Sequence, residues 1–283
     1  MSNNPLKGHF RAPKMFTRLP SGGDFYTDGV VELSETGEVE IYAMTSRDEV
    51  IMRNPDALLN GESVAKIITS CAPQVKRPRE LLASDVDALM VAIQGATYGD
   101  EVTVETTCPE CGNTVIGAGS VQGSLATMKE VPKDVMIEAG GLTIELRPVT
   151  YETTIAAGVS NFQNARSLQS IATIEDDYEK LQAFNESYMK IAELNFMVII
   201  DSIHSIRGKD DQDEEFVVTD RANIREFMEN CETHVGKRVT EKVNQLSEAG
   251  IDKEVQIQCQ EEACGHVFTT KLEFDPVNFS TAS

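Results

Sequence analysis

Two short cysteine turns constrain this chain more than anything else in it: Cys108-Pro109-Glu110-Cys111-Gly112 and, far downstream, Cys259-Gln260-Glu261-Glu262-Ala263-Cys264-Gly265. Each turn sits between extended-looking segments, Glu101 to Thr107 and Thr114 to Ala118 around the first, Glu254 to Gln258 and Val267 to Phe274 around the second. A tetrahedral ion takes four ligands. A two-residue spacing lets both sulfurs of a tight turn face one point, and a following glycine accepts backbone angles that other residues resist. The longer Cys259 to Cys264 spacing still permits a turn, so Cys108, Cys111, Cys259 and Cys264 are expected to form one closed site, with Zn²⁺ as the structural ion. Iron or an iron-sulfur cluster fits the same four thiols. The competing reading is four unrelated cysteines in ordinary turns, and His266 is expected near the site as a supporting or surface residue rather than a ligand.

Composition narrows the class. The chain has 283 residues, 41% of them hydrophobic, enough for a sizeable core in one or two domains. With 46 acidic against 25 basic side chains its net charge is -21, which opposes phosphate backbones and anionic membrane surfaces. Neither nucleic acid nor membrane is therefore an expected partner. No apolar run reaches the roughly 20 residues of a membrane span, and the first residues lack a signal-peptide core, so a soluble chain made in the cytoplasm is expected. The remaining cysteines, Cys71 and Cys231, lie in helical-looking segments and read as packing residues.

Along the chain, residues 1–18 form an arm with Lys7, Arg11, Lys14 and Arg18, expected to be disordered or ordered by a partner. In the stretch from Leu19 to Tyr26, Phe25 and Tyr26 should anchor a glycine-rich turn, and Val30 to Leu33 with Glu38 to Tyr42 reads as a hairpin. Thr45 opens a short helix with a capping box, Asn54-Pro55 breaks it, Glu62 to Ala72 is amphipathic, and Ser84 is expected to cap a helix ending near Gly95. Residues 117–123 read as a flexible connector, followed by a second hairpin in which Val135 to Ile137 and Leu142 to Leu146 flank Glu138-Ala139-Gly140-Gly141.

Thr150 to about Phe162 and Asp176 to Ile206 are expected as helices. The second carries an apolar stripe from Tyr178 through Val198 that is read as core-facing, with His204 inside it as a core histidine. The Lys209 to Glu215 loop lacks EF-hand spacing and reads as a solvated turn, and helices from Asp220 and Glu232 precede the second cysteine turn. The expected fold class is α+β, a small hairpin-plus-helix module and a helical middle joined by a split zinc-ribbon-like pair of knuckles. The expected divisions are 1–18, 19–120, 121–250 as a mainly helical insertion, and 251–283 with the second knuckle and a tail.

No catalytic motif stands out: there is no nucleophile elbow, metalloprotease helix, phosphate-binding loop or dinucleotide fingerprint. Four thiolates on one ion would leave no open position for Lewis-acid chemistry. A non-enzymatic structural role is expected.

The order of several motifs resembles the baseplate hub and hub assembly proteins of T-even-type contractile-tailed bacteriophages. These are Leu19-Pro20-Ser21-Gly22-Gly23 with Phe25-Tyr26, Ala43-Met44-Thr45 with Glu49, Asn54-Pro55 with Leu58-Leu59, Asp85, Tyr98-Gly99, and Cys108-Pro109 with Cys111, covering roughly residues 19–115. The resemblance implies a structural protein of the virion tail baseplate, assembled in the host cytoplasm. Its partners would be other hub, wedge or tail-tube proteins, with several copies in a symmetric assembly. A baseplate assembly chaperone absent from the mature virion is the alternative, and a cellular zinc-ribbon transcription accessory protein a more distant one.

Overall fold

The computed structural model describes residues 6, 9–171, 174, 176–210, 212–252, 254–261 and 263–271. Lys7 of the basic arm and the C-terminal tail, with the expected strand end at 272–274, lie outside the described residues. The chain divides into two compact units, one built from residues 1–130 and 250–283 and the other from 131–249. Helices and antiparallel sheets are both present in an α+β fold.

In the first unit, strand β1 (Pro13–Arg18) pairs antiparallel with β2 (Glu38–Tyr42). This differs from the expected hairpin, because Val30 is buried and Val31 makes only an isolated bridge to Val75. From residue 9 on, the arm also differs from a disordered segment. Arg11 ties the arm down, donating from its guanidinium to the Ala43 carbonyl at 2.5 Å and the Ser70 carbonyl at 2.6 Å, and lying 5.7 Å from the Tyr42 ring centroid. Helix α1 (Ser46–Met52) starts with the expected capping box: Thr45 Oγ1 accepts from the Asp48 N–H, and Asp48 accepts from the Thr45 N–H. Helices α2 (Pro55–Leu59) and α3 (Glu62–Cys71) follow. Burial pushes the Cys71 thiol up to about 11, the behaviour of an inert packing group.

Helix α4 (Ala83–Tyr98) is buried on most of its circumference, with Val86, Ala88, Leu89, Val91, Ala92 and Ile93 all inside, and it packs against β1, β2 and α3. Leu82, not Ser84, is its N-cap, and it runs past Gly95 to a stop at Gly99, φ 101°. Gly95 serves packing instead, since a Cβ there would lie 2.6 Å from Val121 Cγ1. The connector expected at 117–123 is strand and helix: β4 (Thr114–Ser120) leads into α5 (Val121–Ala126), where Ser120 Oγ accepts from the Gly123 N–H.

The glycine-rich stretch is locked to α4 by one buried carboxylate. Asp85 Oδ1 accepts from the Ser21 N–H at 2.9 Å, while Oδ2 accepts from Ser21 Oγ at 2.5 Å and from the Tyr26 hydroxyl. The Tyr26 oxygen in turn accepts the Leu82 N–H at 2.9 Å. Burial raises the Asp85 pKa against the pull of these donors, and burial beside Asp85 raises Tyr26. Tyr26 is thus the anchor, whereas Phe25 is exposed and holds an uncommon left-handed φ of 72°.

The second unit carries a four-stranded antiparallel sheet in the order β5 (Met136–Ala139), β6 (Leu142–Leu146), β7 (Ile203–Lys209), β8 (Glu215–Val218). The β5–β6 turn uses Gly140 and Gly141, both left-handed at φ 62° and 76°, as a two-residue hairpin requires. Between β6 and β7 the chain forms a helical hairpin, α6 (Tyr151–Ile171) and α7 (Asp177–Asp201). The expected helix to Ile206 ends five residues early because Ser202 caps it and Ile203 to Lys209 pair with β6 and β8. His204 accordingly lies exposed on β7: its neighbours Ile203 and Ser205 take the inward side of the strand.

Two arginines gather the carbonyl end of α7. Arg221 donates to the carbonyls of Ile200 at 2.8 Å and Ile203 at 2.6 Å, and Arg147 to that of Asp201 at 3.1 Å, placing positive charge where the helix dipole is negative. Helices α8 (Arg221–Asn230) and α9 (Thr233–Ser247) close the core with Ile224, Met228, Val235, Val239 and Val243. Cys231 follows α8 and packs at the edge of this core.

Replacing Asp85 with Ala would leave the Ser21 and Tyr26 donors buried without their acceptor. Asp85→Ala is expected to destabilise by about 3 kcal/mol in urea unfolding, against a change within about 0.5 kcal/mol for Glu35→Ala in an exposed turn. Equal stability of the two variants would contradict the lock.

Candidate metal centre

The first knuckle grows from a regular hairpin. Strand β3 (Glu101–Thr107) pairs with β4 in unbroken register from Glu101↔Ser120 to Thr107↔Thr114. At its tip the Cys108 N–H donates to the Asn113 carbonyl at 2.9 Å and the Gly112 N–H to the Cys108 carbonyl at 3.0 Å, with Gly112 at φ 73°. The second knuckle repeats this plan between β9 (Glu254–Gln258) and β10 (Val267–Lys271). There the Cys259 N–H donates to the His266 carbonyl at 2.8 Å, the Gly265 N–H to Glu261 at 3.0 Å, and Gly265 has φ 58°. Both glycines therefore stand where a side chain would strain the turn that presents the sulfurs.

The two hairpins pack through Val115 and Ile257, with Cys108 and Cys259 buried beside them. Gly117 permits the approach, since a Cβ on it would collide with Ile257 Cδ1. Hydrogen bonds cross the seam from Gln260 Nε2 to the Ile116 carbonyl at 3.1 Å, from Asn113 Nδ2 to Glu261 at 3.3 Å, and between the Thr106 and Thr270 hydroxyls at 3.3 Å. Cysteine spacing gives no sign of these contacts.

The four Sγ atoms of Cys108, Cys111, Cys259 and Cys264 lie within 4.8 Å of one another. Cys108 and Cys264 are 3.9 Å apart and Cys111 and Cys259 3.7 Å. A disulfide needs about 2.05 Å, so these are free thiols. A tetrahedron of sulfurs around zinc at about 2.3 Å has edges of roughly 3.8 Å, and the spacing fits such an ion. The His266 ring is not in this group. It stacks on Phe268 with centroids 6.0 Å apart, and its carbonyl, not its imidazole, serves the knuckle.

The electrostatics point the same way. The N–H of Cys111, helped by that of Glu110, pulls the Cys108 thiol down to about 7. At Cys259 the Glu261 N–H pulls down but burial and the thiols of Cys111 and Cys108 outweigh it, and at Cys264 the same balance pushes the thiol up to about 12. The Cys108 thiolate is favoured while those of Cys259 and Cys264 are disfavoured. A cation between the sulfurs would favour their ionised forms.

The model of the family described as T4 bacteriophage base plate protein matches residues 15–279, nearly the whole chain. The chain belongs to that family. Both knuckles and the helical hairpin of the second unit fall within the matched residues of this baseplate protein, well beyond the stretch 19–115 that carries the resemblance in sequence. No curated protein and no solved structure matches it.

The thiols of this base plate protein should behave as one unit. Cys259→Ser, or incubation with a strong chelator, is expected to lower the Tm by roughly 10 °C or more, with Cys231→Ser as the unaffected control. An unchanged Tm in both treatments would dismiss a metal clip.

Proposed function

We propose that this protein is a structural component of the baseplate hub of a contractile phage tail, docking other baseplate proteins. In this reading Cys108, Cys111, Cys259 and Cys264 hold a zinc ion that clips two distant segments of the chain. The observation that carries the reading is the family match over residues 15–279, joined to a thiol cluster whose four ligands would complete a tetrahedral shell. A full shell leaves no position for water or substrate, which favours a structural over a catalytic role for the ion. When bound, the ion supplies folding free energy and neutralises thiolate charge; the knuckles themselves orient the sulfurs through backbone N–H groups and left-handed glycines.

The charge of -21 suits a protein that selects complementary basic surfaces among its neighbours and is repelled by phosphate backbones. No helix among the described residues is long and apolar enough to cross a membrane. The partners in this reading are hub, wedge or tail-tube proteins, and the place is the tail baseplate of the virion, with several copies in a symmetric assembly.

Quantitative mass spectrometry of purified mature particles beside the lysate of producing cells tests it. A fixed ratio to the tail proteins in particles is the expected result. Abundance in the lysate with none in particles would instead make the protein an assembly factor.

A further inference from the structure

Only the C-terminal end of α7, with Phe196, Met197, Ile199 and Ile200, belongs to the core of its unit. Further toward its N-terminus the helix packs on α6 through one face, where Ser187 is buried and Ala183, Ile191 and Leu194 are half-buried. The outer face beside it is apolar as well. Tyr178, Leu181, Phe184, Tyr188 and Met189 are 53–76% exposed, and at 3.6 residues per turn they fall within an arc of about 140°. A groove runs along this face from Tyr178 to Lys190. This corrects the expectation that the stripe faces the core: the helix has two apolar faces, and the fold of its own unit uses one.

Counted from Tyr178, these large apolar side chains stand at i, i+3, i+6, i+10 and i+11, a one-sided helical stripe of the kind by which one helix receives another, and scattered single exposed apolar residues would not be arranged so. The rim says which helix. Glu179, Glu186 and Glu193 follow one edge at seven-residue intervals, and Asp176 and Asp177 stand at the N-terminal end. Glu193 is engaged by Arg225 at 2.5 Å, while Glu179 and Glu186 are in no ion pair among the described residues. Lys190 shares that edge and Lys180 lies near the other, so the balance around the groove is acidic. A second copy of this chain would bring the same acids and a charge of -21, and like charges across a helix pair are destabilising.

We propose that the outer face of α7 between Tyr178 and Met189 is the docking site for an amphipathic helix of a different protein, one whose apolar stripe is flanked by lysine or arginine. The site rests on the geometry of α7 and not on the hub assignment.

The test is photo-cross-linking of the full chain in producing cells, with p-benzoylphenylalanine at position 188 and, as control, at position 35. The cross-linked peptide is then identified by sequence. The expected result is a peptide of another protein, apolar at i, i+3 and i+7 with basic flanking residues. Its yield should fall at least tenfold in Leu181→Glu, whose Tm should be unchanged because the side chain is exposed. Cross-linking to a second copy of this chain, to a segment within it, or to an acidic or non-amphipathic segment would overturn the proposal. So would the absence of any cross-link specific to position 188, or a yield unaffected by Leu181→Glu. A basic helical partner from outside the tail would uphold the docking site and count against the hub reading, which separates the two.

Discussion

Four sulfurs held within 4.8 Å of one another repel one another as thiolates. That conflict governs the first unit. The knuckles supply N–H groups that draw Cys108 toward the thiolate, while burial, together with the neighbouring thiols, raises Cys259 and Cys264. A cation bound between them would resolve it, and would fasten together two hairpins whose sequence positions are separated by an entire compact unit. Without such a fastener their contact would rest on Val115, Ile257 and a few seam hydrogen bonds, a small return for closing so long a loop.

The rest of the first unit follows a second constraint, the burial of α4. A helix enclosed on most sides needs its polar neighbours satisfied, and Asp85 at its first turn does so for Ser21 and Tyr26 while Tyr26 serves Leu82. Ser21, Tyr26 and Asp85, scattered in sequence, thus form one hydrogen-bonded group in space. Arg11 does similar service at α3, where its guanidinium reaches the carbonyls of Ser70 on the helix and of Ala43 just after β2.

The sequence made local devices legible. The capping box at Thr45 and Asp48, the helix start at Asp220 and both cysteine turns are each specified by residues a few positions apart, and the structure shows them as read; the second hairpin is present too, but Glu138 and Ala139 pair with Thr143 and Leu142, so its turn is only Gly140-Gly141. What stayed hidden was set by distant partners. Strand β2 looked like half of a hairpin with Val30 to Leu33, but its pairing partner comes from the arm before it. Helix α7 looked longer because Ile203 and Ile206 continue an apolar run, and only pairing with β6 and β8 turns them into a strand. Its Tyr178 to Tyr188 stripe has the same periodicity whether buried or exposed, so pattern alone assigned it to the core. Gly117 read as a linker residue, yet its lack of a side chain is what lets the two knuckles meet.

The central claim is that the two knuckles are closed by one metal ion through four thiolates. X-ray absorption at the metal edge of the purified, reduced protein tests it most directly. The account predicts one zinc per chain surrounded by four sulfurs at about 2.3 Å. A shell containing lighter donors, or protein free of stoichiometric metal, would contradict it.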